Sequence, residues 1–297
     1  MNLPRPSAVL ELLKPITWFP PMWAFGCGVA SSPGALHGHF AILATGLLLT
    51  GPLVCATSQV VNDWYDRHVD AVNQPERPIP SGRIPGTWGF WLGVLWTLLS
   101  LLIALALGPW GMAATCVGLL LAWLYSAPPV RLKQNGWWGN AACGLCYEGL
   151  PWITGAALVS ANSQPSAQSV LIALLYSAGA HGIMTLNDFK SMEGDRIHGI
   201  RSLPVQLGAS WAGRCACLVM ALPQVAVALL LVHWHSEQHA LAIVLLLASQ
   251  LVLMAHWLHH PRDRAPWYQG TGVTLYVIGM LISAYALSAL PLAGVSA

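Results

Sequence analysis

The chain has 297 residues, of which 56% are hydrophobic and only 8% are charged. An ordinary soluble domain carries roughly 25% charged residues, so the composition excludes a soluble globular protein and indicates an integral membrane protein. The formal net charge is +2, and no basic patch interleaves with aromatic residues, so we expect no nucleic-acid partner. The lipid bilayer is the first partner that the sequence predicts.

Apolar segments of about 20 residues recur along the chain, which is the length that crosses a hydrocarbon core of roughly 30 Å as a helix. The predicted fold class is therefore an all-α membrane protein, in which nine transmembrane helices surround a central cavity within a single domain, 1–297. We place the spans near residues 15–33, 40–61, 88–107, 109–127, 138–159, 168–187, 212–233, 239–258 and 269–292.

The lysines and arginines are distributed unevenly between the predicted loops, and such residues accumulate on the cytoplasmic side of a membrane. The loops "SSPGALHGH" and "VSANSQPSAQ" contain none. We therefore predict a multi-pass protein whose N-terminus and charged loops are cytoplasmic, without a cleavable signal. All thirteen basic residues then lie on that side, in segments 1–14, 62–87, 128–137, 188–211 and 259–268 and at Arg214.

The second predicted helix ends in a row of acids, within the stretch "VVNDWYDRHVD". Asp63, Asp66 and Asp70 are spaced i, i+3, i+7, so they share one face if the helix continues past the membrane. Asn62 and Asp66 form a further i, i+4 pair. Like charges placed this close repel each other, so the row is unfavourable unless cations bind it.

The sixth predicted helix ends in the same way, with Asn187 and Asp188, and Asp195 follows seven residues later. Lys190 and Glu193 lie between the two aspartates. The repetition predicts two similar four-helix halves that face one cavity, with the ninth helix added. It also predicts two acidic clusters opposite each other at the cytoplasmic mouth.

Oxygen-rich acidic sites suit Mg²⁺, which takes one or two protein carboxylates and completes its shell with water and phosphate oxygens. The basic loops beside the acids would hold the remaining charge of a diphosphate, so the residues favour a diphosphate held through Mg²⁺. The alternative is that the acids and bases only neutralise each other at the membrane interface. Candidate diphosphate ligands are Asn62, Arg77, Arg83, Arg131, Lys133, Lys190, Arg196 and Arg201.

Four stretches carry a resemblance to a known family. "NDWYDRHVD" resembles the N-D-x-x-D-x-x-x-D motif of the UbiA superfamily of intramembrane prenyltransferases. The longer stretches "NDWYDRHVDAVNQPERPIPSGRIPG", "YSAPPVRLKQNGWWGN", "YEGLPWITG" and "LNDFKSMEGDRIHGIRSLPVQLG" resemble its chlorophyll synthase branch, and "PSGRIPG" resembles the members that form bacteriochlorophyll. The second family motif, D-x-x-x-D, is incomplete because Ser191 occupies its first position and Asp195 its last. Asp188 and Glu193 are expected to take over the missing function.

The resemblance implies transfer of a C20 group from geranylgeranyl or phytyl diphosphate to the propionate carboxylate of bacteriochlorophyllide or chlorophyllide, in a bacterial inner, photosynthetic membrane. It leaves open an association with other proteins of the pigment pathway. It also implies roles for named residues. Asp63, Asp66 and Asp195 would be catalytic, the Mg²⁺ ligands would be Asp63, Asp66, Asp70, Asp188 and Asp195, and the acceptor would bind at Trp64, Tyr125, Trp138 and Glu148.

Two other functions stay open at this point. A prenyltransferase of this superfamily could use another acceptor, such as a quinone-ring precursor, haem or a lipid glycerol phosphate. A transporter could use membrane acids to carry ions, but that function predicts acids at mid-depth, whereas the clustered acids here lie at one face. The pair Cys143 and Cys146 lacks a second CxxC or a histidine partner, so helix packing is favoured over a metal or redox site.

Overall fold

A computed structural model describes residues 3–33, 38–160 and 164–290. Within these ranges the chain is helical almost throughout, and the one strand-like pairing there is an isolated parallel bridge between Asn135 and Arg201. Parts of the two loops expected on the opposite face, 34–37 and 161–163, and the end of the last predicted span, 291–292, lie outside the described residues.

The first half of the chain contains a long helix that carries the first acidic row. A π-helical segment, Leu49–Cys55, joins α3 to α4, so the rod continues without a break to Asn73, twelve residues past the predicted end of the span. The helix therefore carries Asp63, Asp66 and Asp70 past the end of the predicted span, so their i, i+3, i+7 spacing lies on one continuous helix. The helices are α1 (Pro6–Leu13), α2 (Phe19–Ala30), α3 (Phe40–Leu48), α4 (Ala56–Asn73), α5 (Trp88–Ala104) and α6 (Gly108–Ser126).

Helices α5 and α6 form a hairpin. Gly108 has a φ of +68°, a conformation that glycine adopts without the steric cost of a Cβ, and the chain reverses there. The indole of Trp123 consequently reaches back across the hairpin and donates a hydrogen bond to the Thr97 hydroxyl at 3.1 Å. This turn separates the third predicted span from the fourth.

The second half is arranged around α9, which is largely buried and packs against α7 and α12. A second π-helical segment, Leu145–Gly149, joins α7 to α8. The helices are α7 (Gly136–Gly144), α8 (Leu150–Val159), α9 (Ala167–Asp188), α10 (Met192–Ile197), α11 (Leu203–Leu207), α12 (Ala209–His233), α13 (Glu237–Leu258), α14 (Pro261–Gly270) and α15 (Gly272–Ser288).

The helices are those of an integral, multi-pass membrane protein. All nine predicted spans fall on helix in the residues that the structure describes, although the first has only 12 helical residues in α2. Among the described residues, six helical runs are long and apolar enough to cross a membrane: Phe40–Val72, Trp88–Ser126, Ala167–Asp188, Ala209–His233, Glu237–Leu258 and Pro261–Ser288. Gly108 divides the second of these runs into α5 and α6.

The segments that carry the basic residues meet at one end of the bundle. Lys14 pairs with Asp63, and Arg131 pairs with Asp66. Arg201 joins the loop after α6 through a backbone hydrogen bond from its amide to the Gln134 carbonyl at 2.9 Å. These contacts gather the predicted cytoplasmic segments into a single polar surface.

Helices α12 and α13 are joined by two buried amides. Gln224 and Gln250 are 1% and 0% exposed, and each donates to the other's carbonyl oxygen, at 3.1 and 2.9 Å. Interhelical hydrogen bonds in membrane proteins contribute about 0.6 kcal/mol on average and about 1.7 kcal/mol at most.

We expect Gln250→Leu to lower the free energy of unfolding by about 1 to 2 kcal/mol, because it leaves the Gln224 amide buried without this partner. Denaturation in detergent measures the change. Ser249→Ala, at the adjacent, lipid-facing position, should have little effect, and Gln224→Leu combined with Gln250→Leu should recover part of the loss. A stability of Gln250→Leu equal to that of the parent would contradict this role for the pair.

Candidate active site

A cavity of about 490 Å³ opens at the polar end of the bundle. Its walls come from the segment that precedes α2, the rod α3–α4, helix α6 and the rod α7–α8. The mouth is polar, and it is lined by Lys14, Asn62, Arg77, Asn187 and Lys190.

The interior of the cavity is mainly apolar, although threonines and the side chains of Gln59 and Tyr147 also line it. The hydroxyls of Thr50, Thr115 and Thr154 donate to the carbonyls four residues earlier in their own helices, at 2.9, 2.7 and 2.6 Å. Because each hydroxyl is satisfied by its own backbone, these residues need no polar ligand. The arrangement suits a molecule with a charged head at the mouth and a hydrocarbon body below it.

The first acidic row divides into two sets of ion pairs. Asp63 and Asp70 share Arg77, whose Nη1 lies 3.4 Å from Asp63 Oδ1 and 2.7 Å from Asp70 Oδ2. Lys14 Nζ approaches Asp63 Oδ1 to 2.6 Å. The side chain of Asp63 is only 2% exposed, and its second oxygen, Oδ2, is buried with no hydrogen-bond partner among the described residues.

Asp66 belongs to the other set. It lies three residues after Asp63, which is about 60° less than one full helical turn, so the two side chains point in different directions. Arg131 Nη2 lies 3.0 Å from Asp66 Oδ1, and Lys133 Nζ lies 2.5 Å from Asp66 Oδ2. Lys133 also donates to Asn62 Oδ1 at 3.0 Å. Burial lowers the pKa of the Lys133 ammonium group, while the charge of Asp66 opposes that shift.

Two of the cationic residues have an unfavourable, left-handed backbone conformation. Lys14 and Arg131 have φ angles of +48° and +41°, in the left-handed region that typically costs a residue with a Cβ about 1 to 2 kcal/mol. Both side chains pair with aspartates of α4. Strain at residues of this kind often marks a functional site, and one of the two, Lys14, lines the cavity mouth.

The second acidic cluster is built differently from the first. Asp188 accepts a hydrogen bond from Asn140 Nδ2 at 3.1 Å, and Ser191 Oγ donates to Asp195 Oδ2 at 3.0 Å. Burial raises the pKa of the Asp195 carboxyl group. Ser191 occupies the first position of the D-x-x-x-D motif. It supplies no carboxylate there and instead donates a hydrogen bond to Asp195 at the last position.

Glu193 does not join this cluster, contrary to the expectation from the resemblance. Its carboxylate pairs with Arg196 at 3.9 Å and with Arg262, at the start of α14, at 3.5 Å, and its side chain is 63% exposed. The reason is its position on α10, where Glu193 and Asp195 are two residues apart and so point in different directions.

Five predicted diphosphate ligands lie outside the cavity lining that the described residues form: Arg131 and Lys133, which pair with Asp66, and Arg83, Arg196 and Arg201. The five aspartates predicted to hold Mg²⁺ are also outside that lining. Arg83 makes a bidentate pair with Glu11, at 2.5 and 2.8 Å, and the hydrogen bond from Arg83 lowers the pKa of the Glu11 carboxyl group. Arg196 pairs with Glu193, and Arg201 bonds through its backbone and has an exposed side chain.

The four predicted acceptor residues do not come together. Tyr125 lines the cavity. Trp64 does not line the cavity. The guanidinium of Arg67 lies over the Trp64 ring, 4.1 Å from its centroid, and the indole packs against the buried cluster around Leu12. Trp138 is 68% exposed. Glu148 is buried inside the bundle, outside the lining of the cavity, and its Oε2 has no hydrogen-bond partner among the described residues.

The residues at the mouth fit a magnesium ion that arrives with a phosphate ligand. In the described part of the chain, no three His, Cys, Asp or Glu side chains converge into a preformed metal site. Mg²⁺ does not require one, since it typically takes one or two carboxylates and fills its other positions with water and phosphate oxygens. The unpartnered Asp63 Oδ2 is an oxygen ligand of the right kind in a buried position.

Sequence reasoning missed Lys14 as a member of the site. It was counted only among the basic residues of the N-terminal segment, yet it lines the mouth and contacts Asp63. The sequence offers one indication of this role, because Lys14 directly precedes Pro15 at the start of the first predicted span. Cys143 and Cys146, which were assigned to packing, carry free thiols and line the cavity wall beside Tyr147.

The helical bundle surrounds a cavity whose mouth carries cations, and two of these cations pair with aspartates of α4. Residues 17–278 match the model of the UbiA prenyltransferase family. The chain therefore belongs to the UbiA prenyltransferase family, and the observed fold, a bundle of membrane helices around a cavity, is the one that the resemblance predicted.

Within that family, several characterised relatives match along nearly the whole chain. The chain is 56% identical to the bacteriochlorophyll synthase 33 kDa chain of Cereibacter sphaeroides, over 97% of this chain and 95% of the relative. It is 45% identical to the bacteriochlorophyll synthase 34 kDa chain of Chloroflexus aurantiacus, over 94% and 90%. The chloroplastic chlorophyll synthase of Arabidopsis thaliana is more distant, at 39% identity over 93% of this chain and 73% of the relative.

Solved structures support the fold. A UbiA homologue from Archaeoglobus fulgidus bound to GPP and Mg²⁺ superimposes with a TM-score of 0.71, over 95% of this chain and 99% of the homologue, at 18% sequence identity. The same homologue bound to DMAPP and Mg²⁺ gives a TM-score of 0.72. At this level of identity the likeness concerns the fold alone.

Proposed function

We propose that the protein transfers a C20 prenyl group, geranylgeranyl or phytyl, from its diphosphate to the propionate carboxylate of bacteriochlorophyllide. The products are the ester of bacteriochlorophyll and diphosphate. The main observation in support is the combination of an apolar cavity with a mouth at which paired aspartates and cations can exchange partners. The 56% identity to a bacteriochlorophyll synthase chain favours this acceptor over chlorophyllide, a quinone-ring precursor or haem.

The mouth would bind the diphosphate by exchanging partners. Lys14, Arg77 and Lys133 are held by aspartates in this structure, and each can instead donate to phosphate oxygens. The aspartates released from these pairs are then available to the magnesium ion. When bound, Mg²⁺ supplies Lewis-acid stabilisation of the negative charge that develops on the leaving group. Asp63, Asp66 and Asp70 from α4, with Asp188 and Asp195, are the residues that would hold it.

The chain's own residues promote bond cleavage by electrostatics. As the bond between C1 of the prenyl group and the diphosphate oxygen breaks, the electron pair leaves with diphosphate. Fixed cations at the mouth stabilise that charge more strongly in a partly buried site than in water. The prenyl group becomes an allylic cation, whose charge is spread over the adjacent double bond.

The acceptor needs no general base in this reaction, because a propionate carboxylate is already ionised near neutral pH. Its oxygen attacks C1 and forms the ester bond directly. The apolar interior keeps water, the competing nucleophile, away from the cation. A catalytic histidine is therefore unnecessary, and the role of the protein is to position the two substrates and to stabilise charge.

We propose that the site faces the cytoplasm of a bacterial inner, photosynthetic membrane. The basic segments meet at the cavity mouth, and basic loops are retained on the cytoplasmic side. The polar head of the donor would lie at this surface, while its hydrocarbon tail, at about 0.8 kcal/mol per buried CH₂, favours the apolar interior.

Labelled geranylgeranyl diphosphate separates the possible acceptors. Membranes that contain the protein are incubated with the donor, Mg²⁺ and, in parallel, bacteriochlorophyllide, chlorophyllide, a quinone-ring carboxylic acid or haem. We expect the label in the bacteriochlorophyllide ester, with one diphosphate released for each ester formed. Label on another acceptor and none on a chlorin or bacteriochlorin would overturn the proposal.

Two arginines of one loop should behave differently. Arg77→Ala should raise the KM for the prenyl diphosphate by about tenfold to a hundredfold, since a charge-assisted hydrogen bond contributes about 1.5 to 3 kcal/mol. Arg83→Ala should leave that KM nearly unchanged, because Arg83 binds Glu11 on the outer surface. Steady-state kinetics with the donor varied measure both, and equal effects would contradict the assignment of Arg77 to the site.

A further inference from the structure

A tyrosine hydroxyl lies in the cavity below its mouth. Tyr147 belongs to the second π-helical segment, Leu145–Gly149, and its partly exposed side chain lines the cavity. Gln59 Nε2 donates a hydrogen bond to the Tyr147 hydroxyl oxygen at 3.1 Å. The Cys55 sulfur lies 3.7 Å from the same oxygen. Two residues of the rod α3–α4 therefore fix the position of this hydroxyl.

The O–H group of Tyr147 has no strong acceptor among the described residues. Its oxygen accepts from Gln59, so the O–H bond points elsewhere, and the other neighbouring atom is the Cys55 sulfur, a weak acceptor. The Cys55 proton has a better acceptor of its own, the Thr17 carbonyl at 3.3 Å. The hydrogen bond from Gln59 also polarises the phenol and strengthens it as a donor. Tyr147 can therefore donate to a ligand in the cavity.

The aliphatic hydroxyls of the described lining are already satisfied. Thr17 Oγ1 donates to the Lys14 carbonyl at 2.8 Å, and Ser58 Oγ donates to the Cys55 carbonyl at 2.7 Å. The three threonines of the interior donate to carbonyls within their own helices. These groups hold their hydrogen bonds within the protein, whereas the Tyr147 hydroxyl remains for a ligand.

Helix geometry places the Tyr147 hydroxyl about one turn below the mouth. Its partner Gln59 precedes Asn62 by three residues on α4, which is roughly 4.5 Å along the axis. Tyr125, the other tyrosine of the lining near this level, lies closer to the mouth, because the next residue, Ser126, donates to Asn62 Oδ1 at 3.2 Å. The two phenols therefore occupy successive levels of the cavity.

The level of Tyr147 is where the new ester bond would form. When the diphosphate lies among the cations of the mouth, C1 of the prenyl group is the first carbon below it, and the attacking oxygen must approach C1 to about 3 to 3.5 Å. The acceptor carboxylate then enters a mainly apolar region, where an ionised group without hydrogen bonds is unfavourable. The described lining carries no lysine or arginine below the mouth. A neutral O–H donor at this level suits that carboxylate.

We propose that Tyr147 is an acceptor-binding residue, which donates a hydrogen bond to one oxygen of the propionate carboxylate and orients the other oxygen toward C1. The inference rests on the proposed function, since it takes the cavity to be the site of prenyl transfer. The free oxygen attacks C1, and the electron pair of the breaking C–O bond leaves with diphosphate. The proton stays on Tyr147, because a phenol is a much weaker acid than a carboxylic acid. Gln59 is a positioning residue that fixes the hydroxyl.

The test compares Tyr147→Phe with Tyr285→Phe, a matched control on α15 whose side chain is 49% exposed. Tyr147→Phe keeps the ring and removes only the hydroxyl. We expect it to raise the KM for bacteriochlorophyllide about tenfold to a hundredfold, the value of one hydrogen bond to a charged group. The KM for the prenyl diphosphate should stay near that of the parent, and Tyr285→Phe should change neither constant. An unchanged KM for the acceptor in Tyr147→Phe would overturn the inference.

Binding of an unreactive acceptor separates this inference from the proposed function. Without any donor, the affinity for bacteriochlorophyllide is compared with that for its propionate methyl ester, which has no charged carboxylate. Tyr147→Phe should reduce the preference for the acid over the ester about tenfold or more. If the parent esterifies no macrocycle but this reduction occurs, the reaction assignment is wrong and the role of Tyr147 stands. Equal weakening of both ligands in Tyr147→Phe counts against a bond to the carboxylate.

Gln59→Leu keeps the test decisive if Tyr147→Phe fails to fold. It leaves the Tyr147 hydroxyl intact and should raise the KM for the acceptor about twofold to tenfold, the value of one hydrogen bond between neutral groups. Because Gln59 acts through Tyr147, Gln59→Leu combined with Tyr147→Phe should lose no more than Tyr147→Phe alone. Fully additive losses, or an unchanged KM in Gln59→Leu, would count against this arrangement.

Discussion

Replacing Asp63 with asparagine should lower prenyl transfer by about a hundredfold to a thousandfold, the effect of losing one preorganised charge-stabilising group. The substitution keeps the size of the side chain and removes its charge. Asp63 is 2% exposed and pairs with Lys14 and Arg77, so the variant loses both a candidate metal ligand and the anchor of two cations. Assays with saturating donor and acceptor measure the loss of kcat.

The concentration of Mg²⁺ distinguishes these two contributions. If Asp63 binds the metal, Asp63→Asn should need a higher Mg²⁺ concentration for half-maximal rate, and excess Mg²⁺ should restore part of the activity. If Asp63 only holds Lys14 and Arg77, the Mg²⁺ requirement should not change. Removing the metal from the parent with a chelator should abolish transfer, and adding Mg²⁺ back should restore it.

Stability must be measured alongside, because breaking a buried ion pair can cost about 3 to 5 kcal/mol. Asp263→Asn provides a matched control, since Asp263 is an exposed acid in the first turn of α14. It should retain full activity. Full activity of Asp63→Asn in a folded protein would show that the first acidic row is not the donor site.

Hydropathy and charge predicted most of the fold, because both act locally along the chain. Each span is an apolar run, and the row in α4 follows from helical periodicity once the helix extends beyond the membrane. The two π-helical segments were not predicted, since nothing in "LTGPLVC" or "LCYEG" distinguishes a wider turn from an ordinary one. These segments nevertheless shape the cavity, because Val54 in the first segment and Cys146 and Tyr147 in the second line it.

Contacts between distant segments account for the residues that the sequence could not assign. Arg77 and Arg83 lie in one loop and look equivalent, and only the position of Glu11 in the folded protein separates them. Lys14 could not be assigned to the site for the same reason, because its partner Asp63 is far away in sequence. Glu148 follows Tyr147 directly, yet only Tyr147 lines the cavity.

Asp195→Asn tests the second, incomplete motif, and we expect it to lower transfer by about a hundredfold. Asp195 is the carboxylate that remains at the last position of D-x-x-x-D, and Ser191 donates to its Oδ2 at 3.0 Å. Ser191→Ala keeps the carboxylate and removes this hydrogen bond. It should therefore cost only about tenfold, the value of one hydrogen bond to a charged group.

Glu193→Gln is the matched control, because Glu193 lies on the same short helix but pairs with Arg196 and Arg262. It should keep the activity of the parent. If Glu193→Gln lost as much activity as Asp195→Asn, the helix would act through its overall charge, and the assignment of Asp195 alone would be wrong. If Asp195→Asn kept full activity, Asp188 with its partner Asn140 would have to carry the second cluster, and the metal would be held chiefly by the aspartates of α4.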